Sequence, residues 1–247
     1  MSEQIHPDAR GFSRVPDAYE RGRPEYPQAA IDVLTERLGL APGTRVLDLA
    51  AGTGKLSRPL AATGADVVAV EPIDEMRALL PDSVEALEGV AEAIPLPDES
   101  VDAVTVGQAF HWFRPAEALR EIHRVLRPGG GLALVWNTRD ESDPLQQALS
   151  EVLSACGRPS WRGELGVASE IAASGLFGPV EEVRLPHRQE LTAERVLDRF
   201  LSVSFVAAAA PPERLAVETA LRELVAGRRQ PIVLPYVTEI FLAFRAG

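Results

Sequence analysis

Cysteine is almost absent from this chain of 247 residues, which carries Cys156 alone. A single cysteine cannot form an internal disulfide framework or supply a cysteine cluster for zinc. We therefore predict no metal site and a reducing, cytoplasmic environment. Cys156 follows a helical stretch with Val152 and Leu153, which favours a small buried apolar residue over a nucleophile.

Long apolar runs are also missing. Spanning a bilayer takes about 18–20 consecutive apolar residues, and a secretory leader needs an apolar core near its start. Neither pattern occurs, and charged residues recur throughout the opening segment: Glu3, Asp8, Arg10, Arg14, Asp17 and Glu20. The sequence predicts a soluble protein with no membrane segment.

Positive charge is scarce as well. The chain has 25 basic against 36 acidic residues, for a formal net charge of −11, and Lys55 is its only lysine. A surface that binds nucleic acid neutralises phosphates with basic residues, so this balance argues against a nucleic-acid partner. We interpret the preference for arginine as compositional bias and expect a small-molecule partner.

What is present is an alternation of short apolar strands with amphipathic helices, typical of a parallel sheet covered on both faces. A helix begins at Pro27 and stops at Gly39, with Ile31, Leu34 and Leu38 as its buried stripe. A later helix buries Ala118, Leu119, Ile122, Val125 and Leu126 and is broken by Pro128-Gly129-Gly130. The strands are predicted at Arg45–Leu49, Asp66–Glu71, Val84–Val90, Val101–Gly107 and Leu132–Trp136.

The second half of the chain is mostly helical, with helices opening at Asp143-Pro144 and Pro211-Pro212. Strand patterns return at Val180–Leu185 and Val233–Phe244. We therefore predict an α/β fold with a seven-stranded, mostly parallel sheet, helices on both faces and a helical cap inserted before the last strands. One domain is expected over 1–247, divided into an N-terminal lid (1–27), a cofactor-binding half (28–137) and the cap with the last two strands (138–247).

The strongest local signal runs from Val46 to Gly54, an apolar strand that ends in an acid and enters a glycine turn. Glycines let the backbone approach a ligand closely. Asp48 at this point argues against a pyrophosphate, because like charges repel, and favours a ligand that carries an amino group. Glu71 ends the next strand, where a carboxylate can accept hydrogen bonds from both ribose hydroxyls. Ser57 occupies the position of a dinucleotide fingerprint's third glycine.

These residues resemble the class I S-adenosylmethionine-dependent methyltransferases, whose sheet is seven-stranded and Rossmann-like. The resemblance covers the chain from Phe12 onward. Within that superfamily the chain is similar to the branch that contains trans-aconitate methyltransferases. That similarity is carried by Tyr19-Glu20-Arg21-Gly22-Arg23-Pro24-Glu25-Tyr26-Pro27 and by Gln108-Ala109-Phe110-His111-Trp112-Phe113.

The resemblance implies S-adenosylmethionine as cofactor and assigns roles to individual positions. The methionine part would lie against Asp48, Ala50, Gly52 and Gly54, with the ribose on Glu71. The adenine would contact Pro72, Ile73, Met76, Ala91 and Glu92. Gln108 and Ala109 would flank the transferable methyl group.

On the acceptor side, His111 is the candidate catalytic residue, because an imidazole at this sheet edge can remove a proton from an acceptor or donate to a carboxylate. Packing of the cofactor pocket is the alternative role for His111 and Trp112. Tyr19, Arg23 and Tyr26 are candidate acceptor contacts in a lid, where Pro24 and Pro27 predict no regular helix over residues 19–26. The cap, from Asp143 to Gly227, contributes further lining candidates: Trp161, Phe177, Arg199, Phe200 and Phe205.

The function that follows is methyl transfer to a small molecule, with carboxylate or hydroxyl oxygen ahead of nitrogen or carbon. Three alternatives stay open at this point. A macromolecule methyltransferase is disfavoured by the acidic charge, and a nicotinamide-dependent dehydrogenase by Asp48 and Ser57. A non-methylating binder or cyclase on the same scaffold would present the same cofactor site.

Overall fold

A computed structural model describes residues 16–155 and 166–246, without the side chains of residues 16, 18 and 19. Cys156, Trp161 and the side chain of Tyr19 thus lie outside the described residues. The strands are β1 (Arg45–Leu49), β2 (Asp66–Val70), β3 (Glu85–Leu87), β4 (Val101–Gly107), β5 (Leu126–Arg139), β6 (Glu181–Leu191) and β7 (Ile232–Phe244). The helices are α1 (Pro16–Gly22), α2 (Gln28–Leu38), α3 (Ser57–Ala62), α4 (Asp74–Arg77), α5 (Pro115–Val125), α6 (Pro144–Ser154), α7 (Val167–Ser174), α8 (Ala193–Leu201), α9 (Ser204–Ala207) and α10 (Pro211–Val225).

All seven strands join one sheet in the order β3-β2-β1-β4-β5-β7-β6. Strands β1 to β5 are parallel to one another, whereas β7 runs antiparallel between β5 and β6. The predicted seven-stranded, mostly parallel sheet is confirmed. The chain order reverses direction between β1 and β4, and ligands bind at the carboxyl ends of strands beside such a switch point.

The two faces of the sheet have separate apolar cores. Residues of β5 alternate between them: Leu132, Leu134 and Trp136 pack with α5 and α7, whereas Ala133 and Val135 face α2. Phe177 belongs to the first of these cores and does not line the cap. This alternation also fixes which later residues of β5 share a face, since side chains along a strand repeat with period two.

Helix α2 follows the prediction closely. Pro27 is its N-cap, its buried residues include Ile31, Leu34 and Leu38, and Gly39 ends it with φ of 65°. A left-handed residue at that position is favourable for glycine because no Cβ clashes with the backbone.

Three strand boundaries differ from the prediction. Strand β3 keeps only Glu85–Leu87, because the chain leaves the sheet edge there and Val90 bridges locally to Ala93. Strand β5 begins already at Leu126, and a register shift against β4 absorbs the Pro-Gly-Gly sequence as an irregularity within the strand. Strand β6 extends to Leu191 with alternating burial, so it is longer than predicted.

The cap is built by helices on both sides of β6. Helices α6 and α7 precede that strand, and α8, α9 and α10 connect it to β7. A third apolar core joins α6, α8 and α10 to the beginning of β7 and contains Phe200, Leu221 and Tyr236. The cap is therefore packed directly onto the sheet. None of the helices in the described ranges is long and apolar enough to cross a membrane.

The expectation of no regular helix around Tyr19 is wrong. Helix α1 spans Pro16–Gly22, and the prolines Pro24 and Pro27 restrict only the chain after it. Pro16 suits the first helical position, because a backbone N–H at that position has no acceptor within the helix and proline lacks this N–H. Gly22 lies directly against α8, where a Cβ would overlap the backbone of Arg199.

Candidate functional site

An open pocket lies at the carboxyl ends of β1 and β4. Its lining combines the loop after β1, the end of β4 and part of the N-terminal segment: Arg23, Pro24, Tyr26, Asp48, Ala50, Ala51, Gly52, Thr53, Lys55, Leu56, Gly107 and Gln108. Six of the residues predicted from the sequence thus meet in one place: Arg23, Tyr26, Asp48, Ala50, Gly52 and Gln108.

Asp48 is almost fully buried at the end of β1. Its Oδ2 accepts a hydrogen bond from Ser57 Oγ at 2.5 Å, and its Oδ1 accepts one from Thr105 Oγ1 at 3.3 Å. Burial raises the pKa of Asp48 to about 6, although the Ser57 and Thr105 hydroxyls oppose that rise. The carboxylate is therefore held in place from behind, with its ionised form available to a positively charged ligand group.

The loop that follows Asp48 depends on left-handed backbone. Ala50, Gly52 and Gly54 have φ of 56°, 59° and 84°. A Cβ on Gly54 would meet the side chains of Leu80 and Pro81 at 3.0 and 3.1 Å. Glycine is required at these turns both for conformation and for close approach. Ala50 adopts the same conformation at a cost, which is characteristic of functional loops.

Glu71 follows β2 and is 4% exposed. Its Oε2 accepts a hydrogen bond from the Gly52 backbone at 2.8 Å, and its Oε1 accepts one from the Ile73 backbone at 2.9 Å. Burial raises the pKa of Glu71 to about 7 against these two backbone donors. The carboxylate thus ties the glycine loop to β2, while each of its oxygens keeps a second lone pair for a ligand.

The residues predicted to meet the adenine lie beside this loop without lining the pocket. Ile73, Met76 and Ala91 are buried, and the Met76 methyl group is 3.6 Å from where a Cβ on Gly52 would stand. Pro72 is partly exposed next to them. Glu92 has a contact that the sequence did not reveal, because its Oε1 accepts the Arg114 backbone N–H at 2.8 Å just before α5.

At the end of β4, the backbone of Gly107 faces Tyr26, and a Cβ at position 107 would overlap the Tyr26 hydroxyl. Gln108 has φ of 59°, and its Nε2 donates to the Asn137 carbonyl at 3.3 Å. The neighbouring Ala109 is buried. The strained backbone of Gln108 turns the chain at the sheet edge, where strain is commonly associated with function.

His111 and Trp112 form a short 3-10 turn after Gln108, with ring centroids 4.5 Å apart. Both side chains are partly buried. They lie beyond the residues that line the pocket. Gln108, three residues before His111, is the nearest residue in the chain that does line it.

The N-terminal segment, residues 16–27, reaches across the site. Glu20 accepts hydrogen bonds from Thr53 and Arg58, and Glu25 pairs with Lys55. These contacts lie on the cofactor loop, so the segment is fastened to it by carboxylates.

The two arginines of this segment have different surroundings. Arg23 lines the pocket, whereas Arg21 pairs with Asp198 on α8 at 2.8 Å. The segment therefore connects the glycine loop to the cap.

Sequence reasoning missed two residues that the site uses. Lys55, to which the sequence assigned no role, is 8% exposed, lines the pocket and pairs with Glu25. Ser57 served only as evidence against a dinucleotide, yet it is the main hydrogen-bond partner of Asp48. The lone lysine immediately after the glycine turn was the available signal for the first, whereas nothing in the sequence indicated the second.

Three observations fit S-adenosylmethionine at this edge. The glycine loop gives the close backbone approach that a bulky ligand needs. Buried Asp48 offers a carboxylate to the amino group, and buried Glu71 keeps acceptor capacity for hydroxyls. The pocket lies beside the switch point between β1 and β4, where ligands bind in such sheets.

Comparison with known proteins leads to the same family. Residues 47–134 match the family model described as a methyltransferase domain. An uncharacterized methyltransferase of Mycobacterium tuberculosis is 43% identical over 236 residues, covering 92% of each chain.

Two solved structures share the fold. A putative methyltransferase from an antibiotic biosynthesis pathway of Anabaena variabilis has a TM-score of 0.66 at 23% identity, covering 89% of this chain and 98% of that one. A Haemonchus contortus phosphoethanolamine N-methyltransferase, in complex with S-adenosylhomocysteine, has a TM-score of 0.56 at 16% identity over 98% of this chain and 58% of that one. With the relative's long match and the family model, the chain belongs to the class I S-adenosylmethionine-dependent methyltransferases, and S-adenosylmethionine is its cofactor.

Proposed function

We propose that this methyltransferase acts on an oxygen, carboxylate or hydroxyl, of a small molecule. The observation that carries the proposal is that Arg23 and Tyr26 both line the pocket, together with Gly107 and Gln108. A guanidinium and a phenol favour an oxygen-rich or anionic acceptor over a cationic amine. The resemblance to trans-aconitate methyltransferases agrees with a carboxylate acceptor.

The assignment of cofactor contacts is part of the proposal. S-adenosylmethionine supplies an electrophilic methyl group when bound. Asp48 binds the amino group of the cofactor, and Glu71 accepts hydrogen bonds from its ribose hydroxyls. The other proposed contacts are Ala50, Gly52, Gly54, Pro72, Ile73, Met76, Ala91, Glu92, Gln108 and Ala109.

His111 is proposed to contact the acceptor, together with Trp112, Tyr19, Arg23 and Tyr26. For a hydroxyl acceptor, the His111 imidazole removes the hydroxyl proton as the oxygen takes the methyl group. For a carboxylate, the oxygen is already ionised, and the imidazole positions it by a hydrogen bond, because alignment dominates such a transfer.

The division of the chain follows from these roles. Residues 28–137 hold the cofactor, and residues 138–247 complete the acceptor pocket with the cap and last strands. Residues 1–27 act as a lid that excludes water over both.

The test is incubation of the purified protein with methyl-labelled S-adenosylmethionine and a panel of small carboxylic acids, alcohols and amines. We expect labelled methyl esters or ethers, formed in equal amount to S-adenosylhomocysteine. In the His111→Ala variant we expect turnover to fall about tenfold or more, with unchanged affinity for S-adenosylhomocysteine. Labelled N-methyl or C-methyl products would overturn the oxygen assignment, and equal losses of turnover and affinity would give His111 a packing role.

A further inference from the structure

Two arginines in the second half of the chain lie close together. Arg139 is the last residue of β5 and is partly buried, and Arg199 is on α8 with 5% exposure. The Arg199 Nε donates to the Tyr236 hydroxyl at 3.2 Å, but its Nη1 is buried with no hydrogen-bond partner. A buried, unpartnered guanidinium nitrogen is costly to leave without an acceptor.

The two guanidinium groups share one aromatic neighbour. The Cζ atoms of Arg139 and Arg199 lie 5.9 and 5.5 Å from the centroid of the Phe200 ring. Burial, and then the charge of Arg199, lowers the pKa of Arg139 to about 10. Like charges are therefore held close together inside the protein.

Nearby acids do not neutralise this pair. Within the part of the chain that the structure describes, no carboxylate oxygen is within 4.0 Å of a nitrogen of either arginine. Asp198 precedes Arg199 but pairs with Arg21 instead, and Glu141 only partly offsets the positive charge at Arg139. In a chain of net charge −11, an uncompensated buried pair of cations is an exception that needs a counter-charge.

The pair is connected to the pocket lining through two neighbours: Asn137 on β5 near Arg139, and Gly22, next to the pocket-lining Arg23, against the backbone of Arg199. Arg139 is two residues beyond Asn137 on β5, so their side chains share a face at a spacing of about 7 Å along the strand. Asn137 accepts the Gln108 Nε2 hydrogen bond, and its own Nδ2 donates to the Glu25 carbonyl at 3.2 Å. Tyr236 on β7 lies directly opposite Arg139 in the antiparallel pairing of β5 with β7. Position, charge and missing partners thus coincide next to the lid segment.

We propose that Arg139 and Arg199 bind an anionic group of the acceptor, a carboxylate or a phosphate, distinct from the oxygen that is methylated. That the anion belongs to the methyl acceptor rests on the proposed function, whereas the anion site itself rests on the positions of the two arginines. Planar guanidinium groups recognise such oxyanions by paired hydrogen bonds. A bound anion would accept a hydrogen bond from Arg199 Nη1 and offset the repulsion between the two guanidinium groups. The cost of burying these charges is therefore recovered when the anion binds.

The experiment measures thermal stabilisation and calorimetric binding of two probes, succinate and inorganic phosphate, to the protein saturated with S-adenosylhomocysteine. Succinamide at matched ionic strength is the uncharged control. The variants are Arg139→Gln and Arg199→Gln, with the charge-preserving Arg199→Lys. Arg195→Gln is the matched control because Arg195 is exposed on the same helix. Succinate and phosphate together distinguish a carboxylate from a phosphate ligand.

We expect one of the anions, and not succinamide, to bind the native protein and the Arg195→Gln variant equally. Affinity should fall about tenfold or more in Arg139→Gln and Arg199→Gln, and less in Arg199→Lys. Affinity for S-adenosylhomocysteine should stay unchanged in all variants, which also shows that they fold. Equal binding by native and glutamine variants, or no anion binding by the native protein, would overturn the proposal.

A kinetic measurement separates this proposal from the proposed function. With an acceptor found by the labelled-methyl assay, the glutamine variants should raise KM about tenfold with little change in kcat. Anion binding without any methyl transfer to oxygen would refute the proposed function and leave the anion site standing. Methyl transfer to oxygen with native KM in both variants would refute the anion site alone.

Discussion

On the cofactor side of the pocket, the buried ionisable groups are provided with partners by the protein itself. Asp48 has Ser57 and Thr105, and Glu71 has two backbone N–H groups. On the proposed acceptor side, the partly buried Arg139 and the buried Arg199 share the Phe200 ring, and no carboxylate oxygen of a described residue is within 4.0 Å of either guanidinium. The difference indicates that the cofactor loop is organised before its ligand arrives, whereas in our proposal the charge of the two arginines is balanced by the acceptor.

The largest expected effect is the loss of cofactor binding on substitution of Gly52, which leaves the two arginines unchanged. In Gly52→Val, a β-branched side chain is forced into left-handed backbone at φ of 59° beside Met76. We expect affinity for S-adenosylhomocysteine to fall more than about a hundredfold by calorimetry. Gly43→Val is the control, since Gly43 also has positive φ but no atom within 4 Å of an added Cβ. Wild-type affinity in Gly52→Val would mean that the cofactor loop is misplaced.

Removing the Glu71 carboxylate should have the next largest effect. Glu71→Ala takes away the acceptor of the Gly52 N–H as well as the proposed ribose contact. We expect cofactor binding to weaken by about 2–3 kcal/mol, after water re-enters the site. Glu75→Ala, at an exposed position of the following helix, serves as the control. An unchanged dissociation constant would exclude Glu71 from the site.

The pH dependence sharpens the same comparison. Because the pKa of Glu71 is raised from 4.5 to about 7 by burial, the cost of its ionised form is absent below pH 4.5 and grows as pH rises toward 7. The free energy of unfolding of the ligand-free protein should therefore decrease over that window. Affinity for S-adenosylhomocysteine should instead increase, about threefold between pH 6.5 and 7.5, since the ionised carboxylate accepts the hydroxyls. In Glu71→Gln the slope in binding should flatten, whereas the slope in stability should only become smaller, because Asp48, whose pKa burial raises to about 6, also loses its proton in this window. A persisting slope in binding would assign it to another group.

The two sides also differ in how far the sequence predicted them. The residues of the cofactor loop are close together in sequence, because Asp48, Gly52 and Gly54 lie at or just after the end of β1 and Glu71 directly after β2. The alternation of apolar residues and the glycine turn were therefore sufficient to predict where this loop lies. The acceptor side joins residues that are far apart in sequence, such as Arg139 with Arg199 and Arg21 with Asp198. No single-sequence pattern carries such contacts, and the tertiary burial that makes the arginines unusual appears only in the fold.

Helix α1 was mispredicted for a related reason. The prolines Pro24 and Pro27 constrain the backbone locally, but the helix before them packs on α8, with Gly22 against Arg199. Tertiary packing stabilises most short helices, so their local sequence gives only a weak signal. The same packing makes α1 the physical link between the two sides of the pocket.

The smallest expected effect concerns that link. Glu20 fastens α1 to Thr53 and Arg58, and Arg21 pairs with Asp198 across an exposed interface. An exposed ion pair contributes at most about 1 kcal/mol, so its loss should loosen α1 without unfolding the sheet. If residues 1–27 act as a lid, the ligand should hold α1 more firmly than this pair does.

In Asp198→Ala, we expect trypsin to cleave after Arg21 up to about fivefold faster than in the native protein, because the lost pair shifts α1 toward an open state by less than about 1 kcal/mol. S-adenosylhomocysteine should slow cleavage in both proteins, since closure over the ligand protects the segment. Glu194→Ala, at an exposed position of the same cap helix, should cleave at the native rate. Deleting residues 1–22 should lower turnover sharply while circular dichroism retains the sheet. Cleavage that is independent of ligand, together with full activity of the truncated protein, would show that α1 is a packing element and that the two sides of the pocket close without it.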